Sequence, residues 1–108
     1  MPGLLPGRRM PTCRKTRLAE DDIIGIYMQA VREFGPRQAE AYHAGLADAF
    51  DLIALHPQLA PERREFDPPI RLHRHRVHHV LYLIDDDGVL IVRVLPRLRR
   101  WEQLMGTD

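Results

Sequence analysis

The four residues "FGPR" at positions 34–37 constrain this chain more than any other stretch, because an apolar helical stripe runs up to them and a second one leaves them at once. On the upstream side Ile23, Tyr27, Val31 and Phe34 recur at helical spacing, with Ile24 and Met28 widening the stripe. Downstream, Ala39, Tyr42, Leu46, Phe50 and Ile53 follow at spacings of three or four, with Ala49 as a small contact. Gly35 suits a C′ position in left-handed geometry, and Pro36 suits a first helical turn, where its missing N–H is no loss. A connection this short predicts an antiparallel helical hairpin.

The outer boundaries of the hairpin are also legible. Thr16 is a plausible N-cap, and Glu20, Asp21 and Asp22 are expected in the first turns, where acids complement the helix dipole. Pro57 disfavours helical geometry in the residue before it, so the second helix is expected to stop near His56. Residues 57–69, "PQLAPERREFDPP", read as a proline-rich connector too polar for core.

Three strands are expected after the connector. "IRLHRHR" (70–76) alternates, "HHVLYLI" (78–84) is apolar from Val80 onward, and "VLIVRVL" (89–95) is nearly continuous. "DDDG" joins the last two as a hairpin in which Gly88 is free to take positive φ. "PTCRKT" is a weaker N-terminal strand, placed at an edge or beside the last strand. The fold class is α+β: an N-terminal strand, a two-helix antiparallel hairpin and a three-stranded antiparallel sheet. Residues 1–9 are expected to be a flexible leader, with Met10 an alternative start, and residues 10–108 a single domain.

Bulk properties narrow the setting. The single cysteine, Cys13, has no partner for an internal disulfide, and no apolar run reaches the roughly 18 residues of a membrane span. "MPGLLPGRRM" lacks the apolar centre of a secretion signal, so a cytoplasmic location is expected. The net charge of +1 conceals a separation along the chain. Residues 1–17 carry five basic side chains and no acid, and residues 18–61 carry seven acids against Arg32 and Arg37. Residues 62–108 hold nine basic and eight acidic side chains. The arginines thus gather on the strands and the tail, either as a surface for an anionic partner or as solvated faces.

Several constellations bear on chemistry. His73 and His75 lie two apart and share one strand face, with His78 and His79 nearby, but no acid or cysteine interleaves and the neighbouring arginines repel a cation. A solvated basic strand is the reading, and no metal is expected. There is no glycine-rich phosphate loop, no Ser-His-Asp signature and no CxxC pair; Asp85, Asp86 and Asp87 fit turn chemistry. A metal-free nuclease would want a base among His73, His75, His78 and His79 and cations such as Arg71, Arg93, Arg97, Arg99 and Arg100, and spacing alone does not choose among them. Arg93 stands in the strongest strand, where alternation gives it the face of Ile91 and Leu95. It therefore either snorkels to an edge or pairs with a helical carboxylate. Trp101 either caps the core or anchors a partner.

The order of these elements resembles the ParE branch of the RelE/ParE toxin superfamily over about residues 10–104. The resemblance is carried by "AEDDIIGIY", "FGPRQAEAYHAGLADAFDLIALHP", "IRLHRHRVHHVLYLI" and "IVRVLP". It implies a toxin of a bacterial type II toxin–antitoxin pair that acts by binding, without a cofactor, and is neutralised in a hetero-oligomer by a ParD-like antitoxin whose extended or helical C-terminal segment docks on a groove beside the helical hairpin and along the sheet. The apolar faces of residues 23–34 and 39–53 exceed what a small sheet can bury, which is the physical counterpart of such a groove. Candidate antitoxin contacts are Ile23, Tyr27, Val31, Phe34, Tyr42, Leu46 and Phe50; candidate target contacts are Arg71, Arg93, Arg97, Arg99, Arg100 and Trp101.

ParE-type members are associated with poisoning of DNA gyrase, whereas RelE-type relatives cut mRNA on the ribosome. A non-toxic binding module on the same fold is a third reading. The usual terminal pattern, Val-Leu-His, any residue, then Arg-Met-Asp, is broken here. Val94 and Leu95 match, but Pro96 and Leu98 stand where the histidine and arginine belong, and Arg99 and Arg100 replace the Met-Asp pair. The tail also lacks a tyrosine of the RelE-type kind.

Overall fold

The structure is a computed structural model that describes residues 13–96. The leader at 1–9 and four of the target-contact candidates, Arg97, Arg99, Arg100 and Trp101, lie outside the described residues. The elements run β1 (Cys13–Lys15), α1 (Arg17–Phe34), α2 (Pro36–Leu55), β2 (Glu62–Arg63), β3 (Ile70–His75), β4 (His78–Asp85) and β5 (Gly88–Pro96).

One residue separates the two helices. Gly35 donates its N–H to Val31 O at 2.9 Å, closing α1, and its carbonyl accepts from Ala39 N at 3.0 Å, opening α2. Its φ of 90° is positive as expected, but ψ is 163°, so it sits in an extended region reserved for glycine and not in the left-handed helical well. The reason is that one residue must reverse the chain and cap both helices. Tyr27 and His43, each eight residues from Gly35, meet edge to face with ring centroids 5.9 Å apart, as antiparallel helices require. Thr16 is the N-cap, accepting from Ala19 N at 3.0 Å. The three acids fall in the first two turns as expected, Glu20 in the first and Asp21 and Asp22 at the start of the second, because α1 begins at Arg17.

The sheet has five strands in the order β1-β5-β4-β3-β2, with β1 parallel to β5 and the other pairs antiparallel. The reading of residues 57–69 as mere connector is corrected: Glu62 and Arg63 pair with Arg71 and Ile70, and Ala60 and Phe66 are each 5% exposed. Isolated apolar residues in a proline-rich stretch carry no periodicity, so their burial is set by what they meet in space.

Both faces of the sheet are apolar. Leu46, Phe50 and Ile53 of α2 and Ala19 of α1 pack with Val80, Tyr82, Val89, Ile91 and Val94 on one face. Phe66, Ile70, Leu81 and Leu95 gather on the other, with Leu72, Leu83 and Val92 beside them. The alternation breaks on β5. Leu81 opposes Arg93 while Tyr82 opposes Ile91, so Val92 is an extra residue, a β-bulge. Ile91 and Val94 consequently belong to the helix side and Val92 and Leu95 to the other. The expectation that Arg93 shares a face with both Ile91 and Leu95 is therefore wrong, since strict two-residue alternation does not survive an inserted residue.

Candidate functional site: a groove at the helix turn and the clamp that holds the sheet beneath it

The bulge is held from α1. Asp22 accepts from Arg93 Nε at 2.8 Å and Nη2 at 3.0 Å, and from the Val94 backbone N–H at 2.9 Å. Thr16 adds a second tie: its hydroxyl donates to Val92 O at 2.8 Å, and its N–H donates to Ile91 O at 3.0 Å. A bidentate guanidinium–carboxylate pair with both side chains under 20% exposed is a strong local restraint. The hydrogen bonds that Arg93 donates to Asp22 raise the Arg93 pKa, so the guanidinium stays cationic. Of the alternatives the sequence leaves for Arg93, the structure shows the ion pair.

With β5 fixed against α1, its end at Pro96 and the β3–β4 turn stand opposite the turn of the helical hairpin. Between them lies a groove of about 310 Å³. Ile26, Ala30 and Phe34 of α1, Tyr42 of α2, Val77 and Pro96 supply its apolar surface, and Gln29, Glu33, Gln38 and His78 its polar groups. Phe34 and Val77 are 60% and 54% exposed, a cost in water that a docked apolar segment would remove. Ile24 and Met28 extend exposed apolar surface along α1.

A tyrosine–histidine pair stands among the groove's polar groups. Tyr42 Oη and His78 Nδ1 are 2.7 Å apart, and the tyrosine ring lies 5.5 Å from both the His75 and His78 rings, centroid to centroid. Burial raises the Tyr42 pKa, and burial followed by the neighbouring His75 and His79 lowers that of His78. Both shifts favour the neutral forms. The pair can orient a partner by hydrogen bonding without the charge that would repel apolar side chains.

The sequence-derived candidates divide. Phe34 and Tyr42 line the groove, and Ile23, Tyr27 and Val31 are partly exposed on α1. Leu46 and Phe50, 1% and 7% exposed, are corrected to core: α2 turns them onto the sheet, so they have no surface to offer. Arg71 donates to Ala60 O at 2.5 Å and lies 3.7 Å from Glu62, tying β3 to the β2 segment. Among the described residues no three His, Cys, Asp or Glu side chains come together as a metal site. Sequence reasoning missed Val77, His78 and Pro96 as groove residues. They sit at strand ends, and only the sheet register, which pairs His78 with Pro96, brings them to the helix turn.

Hairpin, five-stranded sheet and groove together define a small α+β fold with an apolar groove at the helix turn. A solved structure titled "Chromosomal ParDE TA system from P. aeruginosa" superposes with a TM-score of 0.69 at 18% identity, covering 81% of this chain and 96% of that one. The sequence itself matches the family model described as "ParE toxin of type II toxin-antitoxin system, parDE" over residues 14–101, and the chain belongs to that family. No curated protein matches it. No helix among the described residues is long and apolar enough to cross a membrane.

Proposed function

We propose that this ParE-type toxin acts in the cytoplasm by binding and inhibiting DNA gyrase, and that a ParD-like antitoxin neutralises it by laying an apolar segment into the groove between the helix turn and Pro96. The groove is the observation that carries the neutralisation half. Phe34 and Val77 are the kind of half-solvated anchors a helix-in-groove partner covers. Gyrase is supplied by the family resemblance. Binding is favoured over catalysis because Arg93 and Arg71 are committed to Asp22, Ala60 and Glu62.

Expression alone should arrest growth with intact transcripts, and the purified chain should inhibit supercoiling by gyrase. Co-expression of the product of the adjacent gene should restore growth. Phe34→Asp, a change at an exposed position, should leave folding and toxicity in place and prevent rescue. Transcripts cut at codon boundaries would replace this reading with ribosome-dependent mRNA cleavage, and growth unaffected by expression would leave a non-toxic binding module.

A further inference from the structure

Three apolar side chains of α1 lie outside both the groove and the core clusters. Leu18 and Ile24 are each 56% exposed, and Met28 is 52% exposed. They border a line formed by Asp21, Gly25, Met28 and Arg32, all exposed. At about 100° per residue these four fall within roughly 60° of arc, on the far side of the helix from Ala19, Ile23 and Ile26, which pack on the core. A methyl group at Gly25 would meet nothing within 4 Å. Asp21 and Arg32 join no ion pair among the described residues.

The order of residues along this line says what it would accept. Reversed about the midpoint between Ile26 and Tyr27, the line matches itself: Asp21 comes level with Arg32, and Gly25 with Met28. Asp21 and Arg32 are about three turns apart, roughly 16 Å along the axis, too far to pair within one copy. A second α1 laid antiparallel across the face puts a carboxylate against a guanidinium at each end. It also covers Ile24 and Met28, and at Gly25, where no side chain intervenes, the two backbones can approach closely. A parallel arrangement would instead set Asp21 beside Asp21 and Arg32 beside Arg32, which repel.

We propose that the outer face of α1 is a homodimer contact, two copies of this chain meeting antiparallel around Gly25 with reciprocal Asp21–Arg32 pairs. Both copies use the same patch, so association closes at two. Ile26, Ala30 and Phe34 line the groove from another side of the helix, so the dimer leaves the groove open and the inference is independent of the antitoxin reading. One helix from each copy makes a small interface, and a dissociation constant of about 1–100 μM is expected.

Sedimentation equilibrium of the full chain at low salt, from about 1 to 500 μM, should show the mass rising from one copy to two. Asp21→Arg leaves only cations at the two ends and Arg32→Asp only anions. Each should weaken self-association about tenfold or more, because every pair occurs twice. Mixed in equal amounts, the two variants should form dimers again, since each copy supplies the charge the other lacks. Gly25→Gln fills the open point with a better helix former. It should keep or raise the melting temperature at low concentration while weakening the dimer about tenfold.

A single-copy mass throughout the range overturns the proposal. If Gly25→Gln then weakens the complex with the co-expressed product of the adjacent gene, the face belongs to that partner. A dimer that none of the three substitutions weakens also overturns it and places the contact elsewhere on the surface. Variants that dissociate singly and fail to recover on mixing overturn the antiparallel register. If Gly25→Gln lowers the melting temperature, the mixing experiment stands as the test.

Discussion

The two long edges of this sheet face the same problem and solve it differently. β5 outruns β1, which pairs with it only from Val89 to Ile91, and β3 outruns β2 in the same way. On the β5 side the exposed backbone is taken up by α1: Thr16 occupies Val92 O, Asp22 occupies the Val94 N–H, and the bulge twists the strand out of plane. On the β3 side the described residues supply the exposed Arg74 and Arg76 and no cover. One overhang is sealed as part of the fold, and the other is left unsealed by the described residues.

Removing Asp22 should produce the largest effect. Asp22→Ala leaves the Arg93 charge mostly buried without its carboxylate and the Val94 N–H unpaired, and should cost about 3 kcal/mol in urea denaturation. Replacing both partners, Asp22→Ala with Arg93→Met, should recover part of that loss. An unchanged urea midpoint in the single variant would erase the distinction between the two edges. Next comes Thr16→Ala, which loses the cap on α1 and the bond to Val92 together. It should cost about 1–2 kcal/mol, whereas Thr16→Ser should stay within about 0.5 kcal/mol of the parent.

The open edge invites changes of the opposite sign. Arg76 is the one non-glycine residue at positive φ among those described, 54° in the β3–β4 turn. Relief of that conformation in Arg76→Gly should raise stability by about 1 kcal/mol, read as a higher melting temperature. The smallest effect is that of pH, because the rings concerned are only partly buried. Burial holds the pKa values of His73, His75 and His78 below the ordinary 6.5. The unfolded chain therefore binds protons first as pH falls, so their contribution is intact above about pH 6.5 and declines through more acidic conditions. His78→Gln should flatten the fall in melting temperature between about pH 7 and 5, and a slope indifferent to that change would assign the acid sensitivity elsewhere.

Local signals and distant ones part company at identifiable residues. Thr16, Pro36 and His56 act within a turn of themselves, so the ends of α1 and α2 were legible to within a residue, as were the three C-terminal strands. Asp22 carries no such signal. In a one-dimensional reading it is another acid near a helix start, and its partner lies 71 residues away on a strand whose alternation the bulge has already broken. Phe34 and Tyr42 line the groove because it borrows from the helical stripes, whereas Leu46 and Phe50 are buried because the same stripe also faces the core.

What the amino-acid order determined by itself is the helical hairpin, its caps, the last three strands and the family they compose, since each depends on contacts between near neighbours or on the spacing of apolar residues. What only the tertiary structure decided is which acid meets Arg93, how Phe66 and the short β2 complete the sheet, and where a groove opens. Those outcomes follow from surfaces brought together across the whole chain, and no periodicity of 3.6 or 2 residues encodes them.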